Sequence, residues 1–189
     1  ISNNLTVFFN NFNNLAIAGR LDKQSEGLLI LSNDGKWIEN LCNPKFEKEK
    51  EYDVILDKKP NEEFIKLFTS GVLIGKYITK TCQCKIIDDF SIRVILKEGK
   101  NRQIRKMCKT LGYSVLMLRR TRIHHFKLGS LNEGEYIKAN VSSTFSWLYK
   151  FVKKNQLTNN ILKYQKKIKF LYLNLQSLEK EFYTFFIII

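Results

Sequence analysis

At 189 residues and 44% apolar content, the chain can bury one sizeable core, which suits a single domain with an appendage rather than two full domains. A formal net charge of +14 and a pI near 9.6 point to a polyanionic partner, because each Lys or Arg placed on a phosphate gains from counterion release. No apolar run approaches the roughly 18–20 residues of a membrane span, and four cysteines without a secretory leader fit a reducing compartment rather than a disulfide scaffold.

Residues 1–14 are rich in Asn and Phe without a clear period and read as a lead-in. From Gly19 the pattern sharpens. The polar loop Arg20-Leu21-Asp22-Lys23-Gln24-Ser25-Glu26-Gly27 runs into the unbroken apolar stretch 28–31, a central strand. Asp22 is therefore expected at the mouth of a buried strand, where a rigid element can fix a reactive group; a solvated loop acid beside Arg20 and Lys23 is the plainer alternative. Ser32-Asn33-Asp34-Gly35 turns the chain into a short helix with Trp37, Ile38 and Leu41 on one side, ending near Pro44. Residues 51–56 form the next strand, with Tyr52 near its start, a position that serves packing as well as chemistry. Residues 60–70 repeat helical spacing through Phe64, Leu67 and Phe68, and Gly71 suits the C-cap. Residues 77–87 and 90–96 alternate as two strands of a hairpin around Asp88-Asp89.

Residues 97–122 carry nine basic groups against Glu98 alone. If Asn101 caps a helix that Gly112 ends, Ile104, Met107, Cys108 and Leu111 share one face, while Arg102, Arg105, Lys106 and Lys109 share the other. A basic stripe is often only a solvated face. Its continuation through Lys97, Lys100, Arg119, Arg120 and Arg122 favours phosphate contacts. Residues 113–118 form a further strand. Cys42, Cys82, Cys84, Cys108, His124 and His125 lack zinc-ligand spacing, so no metal is expected. After Ser143 the composition shifts: residues 145–189 hold eight Lys and two Glu, a charge of +6. Trp147, Leu148, Phe151, Ile161, Leu162, Ile168, Leu171, Leu175 and Leu178 are compatible with amphipathic helices there. The domains expected are thus a core over 1–144 and a basic, helical extension over 145–189.

Two segments carry a family resemblance. Gly19-Arg20-Leu21-Asp22, Ser25-Glu26-Gly27-Leu28-Leu29 and Asn33-Asp34-Gly35 form one signature. Glu98-Gly99-x-Asn101-Arg102-Gln103-Ile104-Arg105-x-Met107, followed by Leu111-Gly112-Tyr113-x-Val115, forms the other. Together they resemble the RsuA-like ribosomal RNA pseudouridine synthases. Lys50-x-Tyr52-x-Val54 and the segment Leu118-x-Arg120-x-Arg122-Ile123 are similar to further family motifs, and the resemblance covers roughly residues 15–143. His124-His125 replace the usual Gly-Pro, Gly75-Lys76 stand where Asp-Gly is common, and neither the usual Lys-Pro-x-Gly strand nor an S4 domain is visible before Leu15.

The resemblance implies an α+β fold, a mixed and largely antiparallel sheet with flanking helices and a basic RNA-binding cleft. It implies isomerisation of a uridine, most readily in ribosomal RNA, to pseudouridine without a cofactor. In this scheme Asp22 is the catalytic acid. Tyr52 stacks on the target base, and Arg105 pairs with the acid to keep it ionised. Arg20, Lys100, Arg102, Lys106 and Arg120 serve as substrate contacts, and Leu118 is either an apolar wall beside the base or a plain core residue. A monomer without membrane association is expected, inside the cell, in the cytoplasm or an organelle with bacterial-type ribosomes. Two rivals stand beside this reading. One is a non-catalytic RNA-binding or ribosome-assembly factor of the same fold. The other is a two-carboxylate glycoside hydrolase that pairs Asp22 with Glu26 or Asp34.

Overall fold

The computed structural model describes residues 15–139 and the strand Thr184–Ile188. In chain order the strands are β1 (Ala16–Ile17), β2 (Glu26–Ser32), β3 (Lys50–Leu56), β4 (Leu73–Ile74), β5 (Tyr77–Ile78), β6 (Gln83–Ile86), β7 (Ser91–Leu96), β8 (Val115–Ile123), β9 (Phe126–Lys127), β10 (Tyr136–Ala139) and β11 (Thr184–Ile188). The helices are α1 (Gly35–Cys42), α2 (Glu62–Ser70) and α3 (Gln103–Thr110). Among the described residues nine strands form one sheet in the order β10-β11-β2-β8-β3-β7-β6, with β1 on β2 and β9 on β8, while β4 and β5 make a separate ribbon. Among the described residues only β2 and β8 pair in parallel. The sheet is mixed and mostly antiparallel, as the sequence led us to expect.

β2 owes its place to its apolar run: Leu28, Ile30 and Leu31 are fully buried and Leu29 nearly so, each contributing roughly 1.5–3 kcal/mol by leaving water. Asp34 then caps α1 by accepting the Trp37 amide hydrogen at 3.0 Å. Leu41 is buried, and Trp37 and Ile38 pack on the small core formed by Ala18, Leu28, Ile30, Ile123 and Leu128. The larger core lies on one face of β3, β7 and β8. There Val54, Leu56, Ile92, Val94, Leu96 and Leu118 meet Phe64 and Phe68 of α2 and Ile104, Met107 and Cys108 of α3.

Several details differ from the sequence expectation. Leu67 is 45% exposed, because α2 turns Phe64 and Phe68 inward, with Ile65 packed at the edge of the core. Tyr77 leaves the β6–β7 hairpin and pairs with Ile74 across the Gly75-Lys76 turn. Asn101 does not cap α3. The residue before that helix is Arg102, in the left-handed region with φ 52° and no side-chain cap. Gly112 does end it, with φ 81°. The expectations for residues 1–14 and for helices between Trp147 and Leu178 concern residues outside those described. Residues 184–188, part of the extension expected to be helical, form a strand that pairs with residues 28–32 of β2 and with β10.

Gly27 is dictated by the β2–β8 contact. Its φ is 109°, and a Cβ there would lie 2.3 Å from the carbonyl oxygen and 2.7 Å from the nitrogen of Arg120. Backbone cannot yield as a flexible side chain would. Gly27→Ala is therefore expected to destabilise the fold by roughly 2–4 kcal/mol, read as a lower denaturant midpoint at unchanged m-value. Deleting residues 184–189 leaves β2 without its β11 partner, and a fall in Tm of roughly 5 °C or more is expected by calorimetry; an unchanged Tm would mean that β11 contributes nothing to the folded state.

Candidate active site

The loop between Ala18 and Glu26 carries Asp22. Its carbonyl accepts the Ser25 amide hydrogen at 2.9 Å, closing a tight turn, and the side chain is half-buried. Among the described residues the Asp22 carboxylate makes no hydrogen bond and no ion pair within 4.0 Å. The helix α3 approaches the same loop. Arg105 donates from Nη2 to the Gln24 carbonyl and from Nη1 to the Val115 carbonyl at 2.9 Å, and Arg102 donates from Nη2 to Gln24 Oε1 at 2.9 Å. Two stretches about eighty residues apart in the chain thus meet at Gln24.

Arg105 was expected to pair directly with Asp22. The structure instead ties its guanidinium to backbone carbonyls on either side of the loop, with Asp22 near enough to interact through space. Burial is the main reason the Arg105 guanidinium falls below its ordinary pKa; Arg102 pushes the same way, and Asp22 opposes both. It stays cationic at any physiological pH.

Tyr52 lies on β3 in register with Arg120 of β8 on one side and Val94 of β7 on the other. It is half-buried and packs against the larger core. In β8, Arg120 is also in register with Gly27. One row across the sheet therefore runs from the foot of the Asp22 loop through Arg120 to Tyr52. Leu118 is 6% exposed and sits in the core opposite Val54, which favours the core reading over an open wall beside a base.

The basic residues separate by environment. Arg120, expected as a substrate contact, is 2% exposed and donates to the Leu28 and Arg20 carbonyls at 2.9 and 3.1 Å, so its guanidinium is not on the surface. Arg119 and Arg122 point to the opposite face of the sheet and face carboxylates. Arg119 lies 3.6 Å from Glu26, and Arg122 lies 3.1 Å from both Glu49 and Glu51. Arg20, Lys97, Lys100, Arg102, Lys106 and Lys109 are exposed. Lys100 Nζ rests 4.4 Å from the centre of the Tyr77 ring, and Lys106 reaches Asn101 Oδ1 at 3.3 Å.

Sequence reasoning passed over Glu98 and Gln103. Glu98 is 5% exposed and accepts hydrogen bonds from Tyr77 Oη at 2.7 Å, the Lys80 amide at 3.0 Å and Gln103 Nε2 at 2.7 Å. Gln103 Oε1 in turn accepts the Lys100 amide hydrogen at 2.9 Å. The signal was an acid and an amide bracketing a basic run, too common a pair to single out. His124 adopts φ 53° in the turn between β8 and β9, the backbone conformation that a Gly at this place supplies without strain. Burial pulls the His124 pKa down to about 4 and lowers that of His125, so both rings are neutral at pH 7 and add no charge toward a polyanion. Among the described residues no group of His, Cys, Asp and Glu could hold a metal ion. No described helix is long and apolar enough to cross a membrane.

The two acids that a glycosidase reading requires are engaged elsewhere, Glu26 beside Arg119 and Asp34 in the α1 cap. What remains is the Asp22 carboxylate, on a loop that Arg102 and Arg105 brace at Gln24, with Tyr52 in register with Arg120 on the central sheet. Residues 2–110 match the family model for RNA pseudouridylate synthase, and the chain belongs to that family. It is 41% identical over 133 residues to the dual-specificity RNA pseudouridine synthase RluF of Escherichia coli (strain K12), covering 70% of this chain and 46% of that protein. It is 36% identical over 122 residues to the ribosomal small subunit pseudouridine synthase A of Haemophilus influenzae, covering 63% of this chain and 53% of that one. A solved pseudouridylate synthase structure superposes with a TM-score of 0.66 at 34% identity, over 69% of this chain and 58% of that one. The chain spans about half the length of these relatives.

The two arginines at Gln24 should differ in function. Arg105→Ala removes the brace between the Asp22 loop and β8, and the expected outcome is a fall in single-turnover rate of about a hundredfold with modest change in RNA affinity. Arg102→Ala should chiefly weaken RNA binding and lower the slope of log affinity against log salt by about one. An identical, purely binding defect in both variants would remove Arg105 from the active site.

Proposed function

We propose that this chain converts a specific uridine in RNA, most readily ribosomal RNA, to pseudouridine. The observation that carries the reading is the meeting of the Asp22 loop with Arg105 and Arg102 at Gln24, which joins the two sequence signatures into one site. The family membership and the names of the relatives support the same conclusion.

The reaction redistributes bonds within one nucleotide. The N1–C1′ bond breaks, the freed uracil turns, a C5–C1′ bond forms, and the C5 proton is lost to restore the ring, so nothing is oxidised or reduced and no cofactor is required. A base inside a stack is beyond the reach of a side chain, so the uridine must first be flipped out. Lys97, Lys100, Arg102, Lys106 and Arg20 are exposed and are the cations that would hold the flanking phosphates. Tyr52 offers the ring on which the flipped base stacks and is a candidate for proton transfer at it. Asp22 supplies the carboxylate that opens the glycosidic bond. Arg105 interacts with this carboxylate through space without forming an ion pair with it within 4.0 Å, so the carboxylate remains available to react. The chain works as a monomer in a compartment that holds such RNA.

Asp22→Asn keeps the size of the side chain and removes its charge. The expected result is no detectable pseudouridine, mapped by chemical labelling of RNA, while RNA affinity stays within about twofold because many separate cations hold the phosphates. Turnover by this variant would overturn the mechanism.

A further inference from the structure

Arg120 is a buried cation without a buried anion. It is 2% exposed, and among the described residues it forms no ion pair within 4.0 Å. Its Nε donates to the Leu28 carbonyl at 2.9 Å and its Nη1 to the Arg20 carbonyl at 3.1 Å, while Nη2 is buried with no partner. Lys50, the other basic group in its vicinity, adds to the cost rather than offsetting it. Placing an unpaired charge inside a protein costs several kcal/mol unless other dipoles compensate. A chain that only needed to fill this space would do better with an apolar residue.

The geometry explains why a guanidinium stands there. The Asp22 loop leaves the core at Arg20 and returns through Gly27 to Leu28. One planar fork holds the carbonyls at both ends. The backbone of Arg120 is pressed against Gly27, which fixes the height of the returning strand. The outer end of the loop is braced separately, by Arg102 and Arg105 on Gln24. Asp22 lies between the two attachments, two residues from each of Arg20 and Gln24. A lysine ammonium lacks the planar fork whose Nε and Nη1 are set here on two separate carbonyls.

We infer that Arg120 is a positioning residue, which closes the neck of the Asp22 loop and thereby sets where the carboxylate meets the target ribose or base. This rests on the reading of Asp22 as the reacting group. It replaces a phosphate contact with an internal one: Arg120 acts through Asp22 and touches no substrate.

The test uses the full chain with Arg120→Ala and Arg120→Lys, and an RNA on which the unaltered chain forms pseudouridine. Arg120→Ala is expected to lower the single-turnover rate at saturating RNA roughly a hundredfold, with RNA affinity within about twofold, since a displacement near 1 Å is enough for such a loss. Millimolar guanidinium should restore part of the rate, and Arg120→Lys should fall between the two. Amide exchange at Ser25, whose N–H bonds the Asp22 carbonyl, should quicken at least tenfold in both variants while amides of the β3–β7 pair keep their protection. If Arg120→Ala does not fold, Arg120→Lys carries the same rate and exchange comparison. A rate that merely tracks the folded fraction, a loss confined to RNA affinity, or unchanged exchange at Ser25 would overturn the assignment. Absence of pseudouridine from the unaltered chain on every RNA would instead defeat the reading of Asp22, and exchange at Ser25 would still decide whether Arg120 holds the loop.

Discussion

The structure depends on one close approach, the backbone of Gly27 against the backbone of Arg120. The parallel contact of β2 and β8 is short, limited to Glu26 with Arg119 and Gly27 with Arg120. It nevertheless decides which face the β8 side chains up to Thr121 occupy, because successive residues of a strand point to opposite sides; a register shift against Glu51 and Tyr52 then brings Arg122 to the face of Arg119. With Arg120 turned inward, Leu118 joins it on the core side, and Arg119 and Thr121 are sent to the other face. A shift of one residue would bury Arg119 and Thr121 and expel Leu118, which the core could not tolerate. The same register sets Arg120 beside Tyr52, so the foot of the Asp22 loop and the aromatic residue share a row without touching each other directly.

Charge in this protein is therefore not one surface. Of the nine basic residues in 97–122, Arg120 is internal, Arg105 is half-buried and bound to carbonyls, and Arg119 and Arg122 are engaged with Glu26, Glu49 and Glu51 on the far face. On that face Arg93 also holds Asp53 through two bonds of 2.6 and 2.9 Å. An arginine already paired in this way has little left to give a phosphate, since binding would require breaking a charge-assisted contact. The groups still open to solvent are those of the loop before α3 and of its exposed side. Net charge predicts a polyanionic partner, but only the register and the pairings indicate which side of the molecule would meet it.

The parts of the fold legible in the sequence are those fixed by short-range pattern. β2 shows as an unbroken apolar run, α1 as a cap followed by i, i+1, i+4 apolar spacing, and the buried face of α3 as Ile104, Met107 and Cys108. Asp22 and Arg105 stand out in the sequence only as members of signatures, and the structure adds that their two stretches meet at Gln24. What could not be read depends on partners distant in sequence. Nothing local to residues 184–188 says that they pair with residues 28–32, and nothing local to Arg120 says that it is buried among carbonyls. The Asn101 cap was misplaced because Asn is a good cap by propensity, whereas here the helix starts one residue later, after Arg102, with no side-chain cap, and Asn101 Oδ1 accepts from Lys106 Nζ.

The bend that precedes α3 is tied to Glu98. A carboxylate that is 5% exposed must be satisfied, and Glu98 achieves this with a hydroxyl, an amide side chain and a backbone N–H. Gln103 is thereby locked with its Oε1 toward Lys100, and the chain between the two must fold back tightly enough to bring Lys100 N to it. The left-handed conformation of Arg102 is how the chain makes that turn with a non-Gly residue, at a cost of about 1–3 kcal/mol. A glycine would make the turn without strain but would have no guanidinium to place on Gln24. The strain sits at Arg102 because the residue is required twice, once as a backbone bend that starts α3 and once as a side chain that reaches the Asp22 loop.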